Sequence, residues 1–257
     1  MSSELRIAMW SGPRNISTAL MRSFGSRADA VVVDEPFYAA YLARTGLQHP
    51  MRAEVLASQP QDWREVVTQL FGALPEGRRV QYQKHMTHHM LPEIGRTWLT
   101  ECKSAFLIRE PAAVLASYVQ KRADVSLLDI GLPQQLEIFQ QVSDKLGQPA
   151  PVIDSDDVLE NPRVVLSQLC AALDLDFAEA MLQWPAGPRD TDGAWAPAWY
   201  DAVERSTGFG PPKPKPELKT DSAAHSGHHP ALADALRALT EQAQPYYDAL
   251  ARYRIRA

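Results

Sequence analysis

The chain has 257 residues, 45% of them hydrophobic, enough for one α/β unit or two small ones with a sizeable core, and not the composition of a disordered chain. Its formal net charge is −5, the wrong sign for a protein whose affinity rests on neutralising nucleic-acid phosphates, although a local basic pocket can still hold a nucleotide. The two cysteines, Cys102 and Cys170, are too few for a disulfide framework and fit a reducing cytoplasm, and no apolar run approaches the ~20 residues that cross a bilayer. The expectation is a cytoplasmic protein without nucleic-acid or membrane partners. The segment Met1–Arg6 lacks the basic start and apolar core of a signal peptide.

The pattern predicts five strands, Leu5–Trp10, Ala30–Asp34, Arg79–Lys84, Ala105–Arg109 and Pro151–Asp154. Continuous apolar runs such as Val31–Val33 and Ala105–Ile108 indicate strands buried on both faces, as in a parallel sheet. Helical periodicity between and beyond them covers Ser17–Arg27, Trp63–Leu74, Ala112–Arg122, Pro133–Leu146, Arg163–Leu173 and Ala231–Arg252. Strand alternating with helix predicts an α/β three-layer sandwich with a central parallel sheet. Residues 1–257 read as one such unit, with the stretch from about 185 to 257 a candidate lid. Within it, Tyr200–Leu218 is proline-rich and reads either as a loop over the cleft or as a strap for the last helix.

The turn after the first strand carries the most chemistry. Ser11-Gly12-Pro13-Arg14-Asn15-Ile16-Ser17-Thr18 sets free backbone amides, a guanidinium and two hydroxyls at a helix N-terminus, where orphan N–H groups and the helix dipole favour an oxyanion. A triphosphate-binding G-x-x-x-x-G-K-[ST] loop would need a second glycine and a lysine, both absent here. Asp34 is a candidate magnesium ligand at a strand end, but an ambiguous one.

Pro13-Arg14-x-x-Ser17-Thr18 after a strand instead resembles the phosphosulfate loop of sulfotransferases that use 3′-phosphoadenosine 5′-phosphosulfate (PAPS). Leu107-Ile108-Arg109-Glu110-Pro111 with Ser117 in the next helix is similar to the family's 3′-phosphate clamp. A bidentate guanidinium and a helix hydroxyl suit that role, while a carboxylate partner such as Glu110 or Asp34 is the plainer reading of Arg109. A third match runs from Val152-Ile153-Asp154-Ser155 through Leu166, Leu169, Cys170 and Leu173, with Asp154 and Ser155 where the family usually has an aromatic; these leucines read as core. Three matches in the family's order cover about Leu5 to Phe177. The string Trp10–Leu20 and Val33-Asp34-Glu35-Pro36-Phe37 look like a bacterial branch also found fused to aminotransferase-like enzymes.

The resemblance implies PAPS as donor, no required metal, and a small-molecule hydroxyl or amine acceptor. Pro13, Arg14, Asn15, Ile16, Ser17 and Thr18 would hold the 5′-phosphosulfate, with Arg109 and Ser117 on the 3′-phosphate. Arg14 would stabilise the leaving group and Glu35 would be the base, a surface helix cap or a salt bridge to Arg14 being its plainer reading. His85, in a segment similar to the family's Lys-Thr-His, is the rival base. His88 and His89 line an acceptor pocket or cap a turn; a metal site with His85 is disfavoured for want of a carboxylate pattern. Lys213, Lys215 and Lys219 either approach the 3′-phosphate or form a solvated face, and His225, His228 and His229 read as solvated. Trp195, Trp199 and Tyr200 either wall the acceptor pocket or anchor the last helix. Two rival functions share the loop: an ATP-dependent small-molecule kinase, and a nucleotide-binding module without catalysis. Ile16, where the family usually has glycine, sustains the second, because a β-branched side chain narrows backbone freedom.

Overall fold

The computed structural model describes residues 4–120, 125–212 and 230–256. Among these residues five strands, β1 (Leu5–Ser11), β2 (Ala30–Asp34), β3 (Val80–Met86), β4 (Lys103–Ile108) and β5 (Val152–Asp154), form one sheet in the order β2-β3-β1-β4-β5. Every pairing is parallel, with Ser11 level with Met86 on one side and Leu107 on the other. All five carboxyl ends therefore lie along one edge. The strand order reverses at β1 and β4, and in open α/β sheets ligands bind outside the carboxyl ends at such a point.

The central strand shows why the sheet is buried on both faces. Ala8 and Trp10 enter one core, and Ile7 and Met9 enter the other. The first core is closed by α4 (Trp63–Leu70), α5 (Pro111–Tyr118), α7 (Leu132–Leu146) and the long helix Pro230–Ala251. The second is closed by α1 (Ser17–Gly25) and α9 (Pro162–Ala172), whose Val165, Leu166, Leu169 and Cys170 are fully buried, as their helical spacing indicates. This is the expected three-layer α/β fold.

Two helices between β2 and α4, α2 (Tyr38–Thr45) and α3 (Arg52–Ser58), have no counterpart among the predicted elements. Tyr38, Tyr41, Leu42 and Val55 from them pack with Trp195, Ala196 and Tyr200 in a third apolar cluster. Trp195 and Tyr200 thus belong to this cluster, whereas the helix Pro230–Ala251 packs on α5 and α7. The predicted end of the Ala112 helix at Arg122 lies outside the described residues, as do Lys213, Lys215, Lys219, His225, His228 and His229.

Candidate active site

A cleft of about 550 Å³ opens along the carboxyl edge of the sheet. Its floor is the turn after β1, so the lining includes Pro13, Arg14, Asn15, Ile16, Ser17 and Thr18. Arg14 turns the chain at φ 55°, and Ile16, at φ −85°, precedes the first helical residue. The left-handed residue in this loop is Arg14, so the β-branched Ile16 costs the backbone nothing; its side chain packs on the second core. No side-chain cap covers the start of α1, and its first-turn amides lack intrahelical partners. Asn15 fastens the loop instead: its amide donates to the Leu107 carbonyl at 3.2 Å, and its carbonyl accepts from Ile16 N–H at 3.3 Å and from the Ser155 hydroxyl. The Ile108 carbonyl lies 2.9 Å from the same Ser155 hydroxyl, so its one hydrogen is shared between the two carbonyls. Asp154 caps the short helix α8 (Ser155–Glu160) through Asp156 N–H at 2.8 Å, and accepts from the Tyr247 hydroxyl at 2.7 Å.

Arg109, directly after β4, donates to the Arg14 carbonyl at 2.6 Å, and Arg14 Nε donates to Ser117 Oγ at 3.0 Å. Arg14, Arg109 and Ser117 therefore converge, although Ser117 bonds to Arg14 rather than to Arg109. Among the described residues neither guanidinium forms an ion pair: Arg109 pairs with neither Glu110 nor Asp34, and Arg14 does not pair with Glu35. Burial, and then the like charge of Arg109, pull the Arg14 pKa below its ordinary value. Burial also lowers that of Arg109, against the pull of Asp156 and Asp154. Two partly buried cations side by side, with no carboxylate in ion-pair contact among the described residues, are stabilised by an anion between them.

Further along the edge lies a buried charge cluster. Lys84 Nζ donates to Asp34 Oδ1 at 2.8 Å, Glu35 Oε1 at 2.6 Å and the Tyr200 hydroxyl at 2.7 Å, which uses all its hydrogens. Asp34 Oδ2 accepts from Tyr200 at 2.6 Å and from Gly193 N–H at 3.0 Å, so both of its oxygens are held by protein donors. Glu35, at φ 40°, lines the cleft. Burial raises its pKa, Lys84 opposes and Asp34 adds to the rise.

His85 is not in the cleft. The strand β3 runs to Met86, two residues past its predicted end, so His85 lies within the pleat and faces opposite to Lys84 and Met86. Its ring stacks on Trp10 at 4.3 Å, beside Phe37 and Trp98, and its Nε2 bonds to Gln83 Oε1 at 3.0 Å. Burial holds its pKa down to about 3. His88 and His89 form a 3₁₀ turn and do line the cleft, where Tyr38 stacks on His89 at 4.6 Å and its hydroxyl bonds to His49 at 2.8 Å. Among the described residues no group of three or more His, Cys, Asp or Glu could hold a metal ion. Trp195, Trp199 and Tyr200 line the far wall, and Ser206 and Gly208–Pro211 continue it, so the described part of Tyr200–Leu218 runs along the cleft. Lys84, Tyr38 and His49 were missed from sequence. Lys84 alone gave a signal, since a lysine inside a strand otherwise destined for burial requires partners.

The fold and cleft define an α/β protein with two adjacent guanidiniums in a cleft at the carboxyl edge of a parallel sheet. The chain belongs to the sulfotransferase domain family, whose family model matches residues 5–240. Two solved structures share the fold. The sulfotransferase domain from the curacin biosynthetic pathway is 18% identical, with a TM-score of 0.52 over 97% of this chain and 99% of that one. The sulfotransferase from Alicyclobacillus acidocaldarius is 13% identical, with a TM-score of 0.52 over 97% and 96%. Among curated proteins, the branched-chain-amino-acid aminotransferase-like proteins 1 and 2 of Arabidopsis thaliana are 38% and 36% identical over 211 residues. That match covers 82% of this chain and 37% of each relative, so the chain spans little more than a third of their length. Among the described residues no helix is long and apolar enough to cross a membrane, and both cysteines are free.

Proposed function

We propose that the protein transfers a sulfuryl group from PAPS to a hydroxyl or amine of a small-molecule acceptor. The observation that carries this reading is the pair Arg14 and Arg109, two adjacent guanidiniums on the cleft with no carboxylate partner among the described residues. PAPS, when bound, supplies the sulfuryl group and a bisphosphate leaving group. Arg14 and the first-turn amides of α1 neutralise the charge that develops on the leaving phosphate, with Pro13, Asn15 and Ile16 shaping the loop and Ser17 and Thr18 adding hydroxyls. Arg109, with Ser117, takes the 3′-phosphate. Glu35 accepts the proton of the attacking hydroxyl or amine as that oxygen or nitrogen bonds to sulfur and the bond from sulfur to the leaving phosphate breaks, and the aromatic and histidine wall receives the acceptor. Arginines and amides meet the electrostatic demand, so the chain's own groups suffice without a metal.

The test is a thermal-shift titration with adenosine 3′,5′-bisphosphate against ADP with magnesium. The bisphosphate is expected to stabilise the protein by about 2.7 kcal/mol at a hundredfold excess over its dissociation constant. Arg109→Ala is expected to weaken that binding by about 1.5–3 kcal/mol, the worth of a charge-assisted hydrogen bond. Preferential stabilisation by ADP with magnesium would overturn the reading in favour of a kinase.

A further inference from the structure

We propose that Lys84 is the positioning residue for Glu35: it fixes one carboxylate oxygen and keeps Glu35 ionised in the largely buried wall of the cleft. This rests on the reading of Glu35 as base and adds how the chain maintains it.

The geometry has three parts. The Lys84 ammonium is nearly inaccessible, at 1% side-chain exposure, and each of its hydrogens is directed by a different acceptor, so it has a single orientation. Two of those acceptors are fixed from elsewhere. Asp34, its register partner on β2, is clamped by Tyr200 and by Gly193 N–H, and the Tyr200 hydroxyl accepts from Trp195 Nε1 at 3.1 Å. Glu35 is the third acceptor and the only carboxylate of the cluster that lines the cleft.

The charge balance follows. Asp34 and Glu35 are neighbouring carboxylates in a buried site, and one ammonium lies between them. Without it, the two would share a proton, as close carboxylate pairs do, and Glu35 could no longer accept one. Lys84 stays charged: burial works against its ammonium, but Asp34 and Glu35 outweigh it and raise its pKa well above the ordinary value. The other titratable groups around the cluster are Tyr82 on β3, which burial drives well above its ordinary pKa, Tyr200 on the far wall, Tyr38 on α2, His49, and His88 and His89 on the turn after β3. Tyr200 is driven well above its ordinary pKa by burial and Asp34, and His89 well below its own by burial and its neighbours, so neither changes charge near neutral pH.

The test reads Glu35 without turnover. The infrared C=O stretch of a protonated carboxyl is followed against pH in the protein without added ligand, and assigned to Glu35 by its loss in Glu35→Gln. Lys84→Gln is expected to move the appearance of that band upward by about one to three pH units, the effect of losing a close opposite charge. Asp34→Asn, which removes the neighbouring negative charge and keeps the ammonium, is expected to move it downward. Lys84→Arg keeps the charge and is expected to stay nearer wild type than Lys84→Gln. A merely structural role predicts no opposite shifts. Should Lys84→Gln fail to fold, the Asp34→Asn shift still decides. An unchanged Glu35 band in either folded variant would overturn the proposal. Because the readout needs neither PAPS nor acceptor, a protein with these shifts but no sulfuryl transfer would fault the proposed function and not the Lys84–Glu35 coupling.

Discussion

His85 sits in a box of Trp10, Phe37 and Trp98 with 1% of its surface exposed. In the unfolded chain an imidazole takes a proton near pH ~6.5, whereas in the folded protein this one resists until about 3. Between those values the unfolded state binds more protons. The stability present above pH ~6.5 is therefore lost progressively as pH falls towards about 3. His85→Phe, which keeps an aromatic ring in the box, is expected to flatten that part of the profile in urea melts at neutral pH and about pH 4.5. Turnover with PAPS is expected to be unchanged. A loss of turnover in the folded variant would restore His85 as a base. The same residue shows a limit of sequence at this scale. Lys84 and His85 are adjacent in the chain, yet the pleat sends one to the cleft and the other to the core, and two residues of strand length decided which. Ile16 shows the converse: glycine's freedom is needed at a different position of the loop, which only the backbone angles reveal.

At the level of elements, the turn from β1 to α1 depends on Gly12. A Cβ there would collide with the Ile130 carbonyl oxygen, at the end of the short helix α6 (Leu127–Ile130). Gly12→Ala must move backbone against backbone, and is expected to cost about 1–3 kcal/mol in denaturant melts. It is also expected to weaken binding of adenosine 3′,5′-bisphosphate, because the loop carrying Arg14 shifts with it. Normal affinity in a destabilised variant would separate the loop's packing role from its ligand role. The strands and the long amphipathic helices were legible because continuous apolar runs and helical spacing survive in the local pattern. The helices α2 and α3 were not. In α2, the run Tyr38–Leu42 is buried throughout, so its sequence shows no polar face to mark a period.

Across the whole molecule, the cleft is completed by a segment far from the three motifs. Asp192 forms a two-pronged buried ion pair with Arg22 of α1, at 2.6 and 2.7 Å, and accepts from Arg189 N–H at 2.8 Å. The next residue, Gly193, donates to Asp34, and Trp195 and Tyr200 follow on the cleft wall. Asp192→Ala leaves the Arg22 charge buried and unpaired, and is expected to cost about 3–5 kcal/mol in equilibrium unfolding. In the folded fraction it is expected to expose the wall, read as a red shift of tryptophan emission and faster amide exchange at 193–200. A large stability loss without those local changes would mean that the wall is held by its aromatic packing alone. The sequence by itself determined the parallel α/β sheet, and singled out the turn after β1 with Arg14, and separately Arg109 with Ser117, as candidate ligand-binding groups, because periodicity, turn chemistry and motif spacing are local. Only the tertiary structure decided that Lys84 faces the cleft and His85 the core, that Asp34 is saturated by protein donors, and that Trp195 and Tyr200 close the site. Those facts depend on strand register and on contacts between residues more than a hundred positions apart, which no local pattern records.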